Sequence, residues 1–272
     1  MVAHLEDAVS FVLSVFSLTA VYAVVAKLER SRRLRFRELS SPRPYLSSDL
    51  AWYGLAIVAT AVSVFVFRPV LVLLEIGPIS SWINGLPTVL QFLLGLVVFD
   101  FLSFIVHRGL HRSDRLWEFH KVHHSTLELD GFATTRTHMF ENLIRFVPPQ
   151  AVLFMMGMPV SVVAPTVALA AIYGVSNHSN LDIKANWIET VLVTPRLHRC
   201  HHVPATTNNN YGAIFTIWDR LFGSLVRVDT RPDEQYGVPG EIHSYPQRFV
   251  AAFRQPLHSG RRYDRQELTP TS

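Results

Sequence analysis

The sequence is poor in cysteine and in charge, and both shortages narrow the class of protein. Cys200 is the only cysteine among 272 residues, which excludes an internal disulfide, a cysteine-based zinc finger and an iron–sulfur cluster. Charged residues make up 17% of the chain, whereas soluble domains contain about 25%. The low charge and the positive mean hydropathy indicate a membrane protein.

Charge is nearly absent from four long apolar runs. They cover residues 8–27, 50–74, 89–106 and 143–175. About 20 apolar residues span a bilayer as a helix, so the first three runs predict three transmembrane helices. A cleaved signal peptide is the alternative for the first run, but Glu6 and Asp7 precede it where signal peptides carry bases.

The fourth run is too long for one ordinary span and contains several prolines. Proline removes a helical hydrogen bond, so we expect two short segments bent back at residues 157–159. The segment after residue 228 is polar and has no helical period, and we expect residues 261–272 to be disordered.

Basic residues are distributed unevenly between the loops. The loop at 29–43 contains six arginines, whereas the loop at 75–87 contains no lysine or arginine. The positive-inside rule therefore predicts that the arginine loop faces the cytoplasm. With a hairpin in the fourth run, every histidine cluster then lies on that same side.

Histidine is abundant for so apolar a chain. There are 13 histidines, and eight of them form the clusters His107/His111, His120/His123/His124 and His198/His201/His202. The pattern H-x-x-H-H is expected about 0.03 times by chance, yet it occurs twice. Residues at i, i+3 and i+4 share one helix face, so each cluster offers two or three imidazoles to one point.

Imidazole nitrogen suits zinc, copper, iron and nickel. Eight histidines exceed the needs of one tetrahedral ion but suit two ions with open positions. No histidine follows a glutamate by three residues, which excludes the soluble di-iron class with Glu-x-x-His pairs. A haem bound by two histidines leaves six unexplained, and histidines solvated among lipid headgroups are the remaining alternative.

Four further polar residues are candidates for the same site. His138 directly precedes the fourth run and His178 directly follows it, so a hairpin places both at the surface that carries the clusters. Asp100 and Asp114 each lie seven residues from His107. A ligating histidine usually donates its other N–H to a carboxylate or carbonyl, so both aspartates are candidate partners of the ligands.

Seven stretches together resemble the fatty acid hydroxylase and sterol desaturase superfamily of membrane di-iron enzymes. The resemblance covers residues 100–225. The stretches are DFLSFIVHRGLH (100–111), LWEFHKVHHS (116–125), RTH (136–138) with Glu141, NHSN (177–180), TPRLHRCHH (194–202), NYG (210–212) and WDRLFG (218–223).

The resemblance implies an all-α, multi-pass helical membrane protein whose helical cytosolic cap carries a di-metal site. It implies two iron ions, O₂-dependent oxidation of a lipid C–H bond, most simply hydroxylation of a sterol or fatty acyl chain, and desaturation as the alternative. Zinc can replace iron in purified protein because it binds such ligands more tightly. The implied ligands are His107, His111, His120, His123, His124, His138, His178, His198, His201 and His202.

The expected organisation has three parts. Residues 1–88 hold the first transmembrane helices and the basic loop, residues 89–228 the di-iron domain with its membrane hairpin at 143–175, and residues 229–272 a polar tail. The sequence has no Gly-rich dinucleotide motif, so we expect a separate electron-transfer protein as partner, and no nucleic acid. Arg108, Arg112, Arg115, Arg196 and Arg199 beside the clusters are candidates for the docking patch of this partner, and arginines that are solvated or bind lipid headgroups are the alternative.

Two other functions predict different features. A metal transporter needs ligands inside its spans, but the first two apolar runs contain no histidine. A non-catalytic, metal-containing lipid-binding protein would keep the same ligands, so the sequence leaves this alternative open.

Overall fold

The computed structural model describes residues 2–41, 43–183 and 187–258, and the predicted all-α class is confirmed. Within these ranges two isolated bridges, Arg35 to Leu181 and Leu192 to Phe215, are the only extended pairings. The α-helices are α1 (Val2–Glu29), α2 (Leu46–Val62), α3 (Arg68–Leu71), α4 (Gly77–Asn84), α5 (Thr88–Arg112), α6 (Asp114–His124), α7 (Met139–Met155), α8 (Val160–His178), α9 (Pro195–His202), α10 (Ile217–Leu221) and α11 (Phe249–His258).

Four stretches of the described chain are long and apolar enough to cross a membrane. They are Phe11–Glu29, Leu46–Leu71, Thr88–Arg112 and Val160–His178. Large apolar side chains on these helices point outward; Phe16 is 73% exposed and Val89 is 68% exposed. Such surface is stable against lipid rather than water, and the chain is an integral membrane protein.

The fourth apolar run forms two helices, as predicted. The break lies between Met155 and Val160 and contains Gly157, whose φ is +76°. Glycine adopts this conformation without a steric penalty. A Cβ at Gly157 would also lie 2.2 Å from the Ser80 hydroxyl oxygen, so α7 and α8 turn back where only glycine fits.

The first helix is joined to the cap by one buried carboxylate. Glu29, the last residue of α1, is 3% exposed and accepts hydrogen bonds from the backbone N–H groups of Gly131 at 2.9 Å and Asn180 at 2.7 Å. A buried charge that accepts two backbone N–H groups stabilises the fold. These bonds fix α1 against the segments on either side of the α7–α8 hairpin.

The polar segment after residue 228 contains a helix that its composition did not predict. In α11, Phe249 packs on Trp52 of α2 with ring centroids 4.6 Å apart. Both rings belong to a buried cluster that also contains Trp117 of α6. Burial of a few aromatic side chains therefore fixes this short helix, and the predicted disorder of residues 261–272 lies outside the described residues.

Candidate metal centre

Two short helices present most of the histidines, and local signals set where each begins. Ser113 caps α6 by accepting a hydrogen bond from Leu116 N–H, and Thr194 caps α9 by accepting one from Leu197 N–H. Pro195 occupies the first position of α9, where its missing N–H costs nothing. These caps fix the register that aims the H-x-x-H-H patterns inward.

Nine of the ten predicted ligands lie in two compact groups. Within each group the nearest ligand atoms are all within 4.8 Å of one another, and no member is more than 5% exposed. The five-histidine group is His107, His111, His120, His124 and His201. The four-histidine group is His123, His178, His198 and His202.

Each H-x-x-H-H cluster contributes histidines to both groups. The sequence had predicted that all the imidazoles of one cluster point to a single site. On α6, His120 and His124 join the five-histidine group and His123 joins the other. On α9, His198 and His202 join the four-histidine group and His201 the other. The i, i+4 pair shares one side of each helix while the remaining residue turns to the neighbouring site, so the two groups lie side by side.

Four of the five histidines in the first group are anchored from outside through Nδ1. His107 donates to the Tyr211 carbonyl at 2.8 Å, and His201 donates to the Asn209 carbonyl at 2.6 Å. His120 Nδ1 is 2.7 Å from the Glu141 carboxylate. The fourth contact joins His124 Nδ1 to the Thr207 hydroxyl at 3.2 Å. Such partners fix the tautomer and leave Nε2 free as a ligand.

The inward nitrogen atoms fit metal ligation. Nε2 of His107, His120 and His201 is buried without a hydrogen-bond partner among the described residues. In the four-histidine group, His178 Nε2 lies 3.0 Å from His123 Nε2 and 2.9 Å from His198 Nε2. Ligands about 2.1 Å from one ion lie about 3.0–3.4 Å apart. The unpaired Nε2 atoms of the five-histidine group and the close Nε2 atoms of the four-histidine group both suit a cation bound within the group.

Burial also keeps the imidazoles in the form that binds metal. It lowers the pKa of His123, His124 and His202 well below the usual value, and the neighbouring imidazoles add to the effect. Burial lowers the pKa of His201 to about 4. Neutral imidazole is the ligating species, so these side chains are ready to bind a cation at neutral pH.

His138 is the predicted ligand that the structure brings to neither group. Its Nδ1 accepts the Phe140 N–H at 3.2 Å, which caps the start of α7. Its ring stacks on Phe253 of α11 with centroids 4.5 Å apart. This histidine turns to the C-terminal helix because its position before α7 suits a capping side chain.

The two predicted aspartate partners lie elsewhere. Asp100 accepts hydrogen bonds from Ile214 N–H at 2.8 Å, Phe215 N–H at 3.0 Å and Trp218 Nε1 at 2.8 Å. It therefore holds the segment that follows Tyr211 and contacts no histidine directly. Asp114 is exposed in the first turn of α6, where a carboxylate interacts favourably with the positive end of the helix dipole.

Glu141 is the acidic residue that the sequence interpretation did not assign to the site. It is fully buried, as is His120, and it also lies 3.5 Å from the Arg145 guanidinium. Its position in the first turn of a helix that is otherwise largely apolar was the available signal, because a buried charge there needs a partner.

Two of the five arginines proposed for the docking patch are engaged within the protein. Arg199 is 2% exposed, and its guanidinium lies 3.8 Å from the centre of the Phe36 ring. Arg196 pairs with Glu189 and Asp229. These two arginines stabilise the cap itself and are not part of an open basic surface.

The membrane spans and the two histidine groups together define an integral membrane protein with buried histidine clusters that are able to hold metal. Residues 92–224 match the fatty acid hydroxylase family, and this segment includes every member of both groups. This segment of the chain belongs to that family.

Relatives at moderate identity act on different lipids, to judge by their names. The chain is 33% identical over 178 residues to the ornithine lipid hydroxylase OlsE of Rhizobium tropici, covering 65% of this chain and 53% of that protein. It is 35% identical over 124 residues to the alkylglycerol monooxygenase of Danio rerio, covering 44% and 27%. It is 27% identical over 147 residues to the lathosterol oxidase of Rattus norvegicus, covering 54% and 47%.

The chain thus matches about half or less of the length of each of these relatives. No solved structure matches it.

Proposed function

We propose that this protein is a membrane oxidoreductase that hydroxylates a C–H bond of a lipid, using dioxygen and two iron ions held by the two histidine groups. The single observation that carries the proposal is an apolar cavity of about 270 Å³ beside the histidines. It is lined by His107 of the five-histidine group and by His178 and His198 of the four-histidine group. A lipid chain in this cavity lies against both groups at once.

The walls of the cavity come from membrane helices. Side chains of α1, α2, α5, α7 and α8 line it, among them Leu18, Ile57 and Val163. Apolar walls exclude water and bind a hydrocarbon segment through the hydrophobic effect. The same walls orient the reacting carbon towards the histidine end.

When bound, two iron ions supply the reduction of dioxygen and the removal of hydrogen from carbon. The protein's own groups fix the site: Tyr211, Glu141 and Asn209 orient three of the ligating imidazoles from outside. Hydroxylation rather than desaturation is supported by the names of the rhizobial and zebrafish relatives. Iron is proposed as the active metal, with zinc as a tight-binding substitute.

The proposed orientation places the arginine loop and both histidine groups in the cytoplasm, because the loop at 75–87 has no base. Electrons then reach the site from a separate cytoplasmic donor. Labelling of single cysteines at Ser81 and Asp233, both exposed, in a Cys200→Ala background tests the orientation. Access to both positions from the same side of the membrane would contradict it.

One experiment tests the function as a whole. The protein is expressed with iron, its metal content is measured, and lipid extracts from cells with the wild type and with His201→Ala are compared by mass spectrometry. We expect about two iron ions per wild-type chain and a lipid that is 16 Da heavier only with the wild type. Active protein with no metal, or identical lipids in both cultures, would reject the proposal.

A further inference from the structure

Two polar side chains lie on the cavity wall of α7, one helical turn apart. Asn142 and Arg145 both line the cavity, as does His107. Asn142 is only 7% exposed, and its Nδ2 has no hydrogen-bond partner among the described residues. A buried amide N–H without a partner is unfavourable, so this donor is suited to an acceptor that enters the cavity.

Arg145 brings a positive charge to the same place. Its guanidinium has Glu141 as its ion-pair partner, at 3.5 Å, but that carboxylate makes its shorter contact, 2.7 Å, with His120. The arginine side chain keeps 26% of its surface exposed. A guanidinium has five N–H donors, and one long contact leaves most of them available to a ligand.

This polar pair lies at the histidine end of the cavity. Glu141, the residue before Asn142, contacts His120, and the Arg145 guanidinium lies 3.5 Å from the same carboxylate. The lining also includes apolar side chains of α1, among them Phe11, Val15 and Leu18. The cavity therefore combines polar donors beside the histidines with apolar surface suited to a hydrocarbon chain.

We propose that Asn142 and Arg145 bind an anionic oxygen group of the substrate, a carboxylate or a phosphate, so that oxidation falls on a carbon near that group rather than far along the chain. Guanidinium and amide N–H groups match the geometry of such an anion. Binding of the anion does not depend on the proposed hydroxylation, whereas the position of the oxidised carbon rests on it.

Binding is tested with three chain-matched probes on the metal-loaded protein in phosphatidylcholine nanodiscs. Oleate carries a carboxylate, oleoyl lysophosphatidate carries a phosphate, and oleyl alcohol carries neither. We expect at least one anionic probe to bind at least about tenfold more tightly than the alcohol, since hydrogen bonds to a charged group are stronger than those to a neutral one. The anion that binds more tightly identifies the group; equal affinity for all three probes would overturn the proposal.

Variants then assign the preference to these residues. Arg145→Gln should reduce the preference for the anion about tenfold and leave the affinity for oleyl alcohol within about twofold. Gln150→Leu is the matched control, because Gln150 lines the same cavity on the same helix but already bonds to Ser63 and the Phe146 carbonyl. Parallel losses for anion and alcohol in Arg145→Gln would indicate a packing role and reject the assignment.

The position of oxidation is read separately. In the product of the wild type, mass spectrometric fragmentation should place the new oxygen on a carbon next to the polar group. Oxidation at the far end of the chain would reject this part while leaving the binding result intact. Absence of any product together with a retained preference for anions would count against the hydroxylase function and not against the anion site.

Discussion

The two histidine groups differ in how they are held. In the five-histidine group, four imidazoles are fixed through Nδ1 by atoms outside the group: the Tyr211 carbonyl, Glu141, Thr207 and the Asn209 carbonyl. In the four-histidine group only His178 has such an anchor, the Gly174 carbonyl at 2.7 Å. Nδ1 of His123, His198 and His202 has no partner among the described residues.

These hydrogen bonds determine how much side-chain freedom the imidazoles lose when a metal ion binds. Imidazoles that already point inward lose little side-chain freedom on binding, whereas unanchored rings must be ordered by the ion itself. Partners of this sort typically change metal affinity by about 10–100-fold. We therefore expect the five-histidine site to bind its ion more tightly and to release it later to a chelator.

The largest expected effect comes from removing one ligand from each group. His201→Ala and His202→Ala change neighbouring residues of α9 that belong to different groups. Each should abolish activity, with a loss of more than about 100-fold, and lower the metal content from about two ions to about one. Metal analysis and the lipid assay measure both quantities.

The affinity of the ion that remains in each variant compares the two sites directly. His202→Ala keeps the anchored site and should hold its ion about tenfold more tightly against a chelator than His201→Ala, which keeps the unanchored one. Equal retention in the two variants would show that the outside partners do not determine affinity.

A smaller effect is expected from Glu141→Gln. Glutamine can still accept the His120 N–H but lacks the negative charge that strengthens the bond, so the affinity of one ion should fall about 10–100-fold while the other ion is unaffected. Chelator titration followed by metal analysis measures the two separately. Glu118→Gln is the control, because Glu118 is also buried on α6 but pairs with Lys121; a similar loss there would mean that the effect is not specific to the histidine contact.

The smallest effect is the response of the metal-free protein to acid. The imidazoles of α6 and α9 have pKa values below their unfolded value near 6.5, that of His201 about 4. Protonation therefore favours the unfolded chain, and the stability that these groups contribute is complete above about pH 6.5 and is lost as the pH falls towards 4.

Thermal unfolding in detergent measures this response. We expect the Tm of the metal-free protein to fall by at least about 5 °C between pH 7.5 and pH 5. The metal-loaded protein should change less, because the ion competes with protons for the same nitrogens. A Tm that is constant or rises on acidification of the metal-free protein would contradict the assignment.

Spacing in the sequence predicted that the clustered histidines lie together and that the fourth apolar run breaks into two helices. The i, i+3, i+4 pattern identifies residues on one side of a helix, and Gly157 among prolines marks the turn. The division of each cluster between two groups could not be read from spacing, because it depends on where α5, α8 and α9 meet α6. The contact between Glu141 and His120 depends on how α7 packs on α6, which spacing does not give. The anchors at Tyr211 and Asn209 act through backbone carbonyls, which every residue has, so no residue type identifies them.

Asp100 shows the converse error. Its spacing from His107 and its place in an apolar run predicted a direct partner, but the carboxylate instead holds the backbone of Ile214 and Phe215. A buried acid needs donors, and a loop that crosses a helix supplies N–H groups as readily as an imidazole does. Sequence identified the residue as buried and paired but not the partner.

The cavity wall extends beyond the segment of the chain that holds the histidine groups. All nine grouped histidines fall within residues 92–224, the segment that matches the family. Phe11, Leu18 and Tyr53, which line the cavity, lie before it. Substitutions in the first 91 residues can therefore reshape the space for a lipid without touching a ligand. In the proposed hydroxylase, part of the surface that selects the lipid is therefore separate in sequence from the residues that hold the metal.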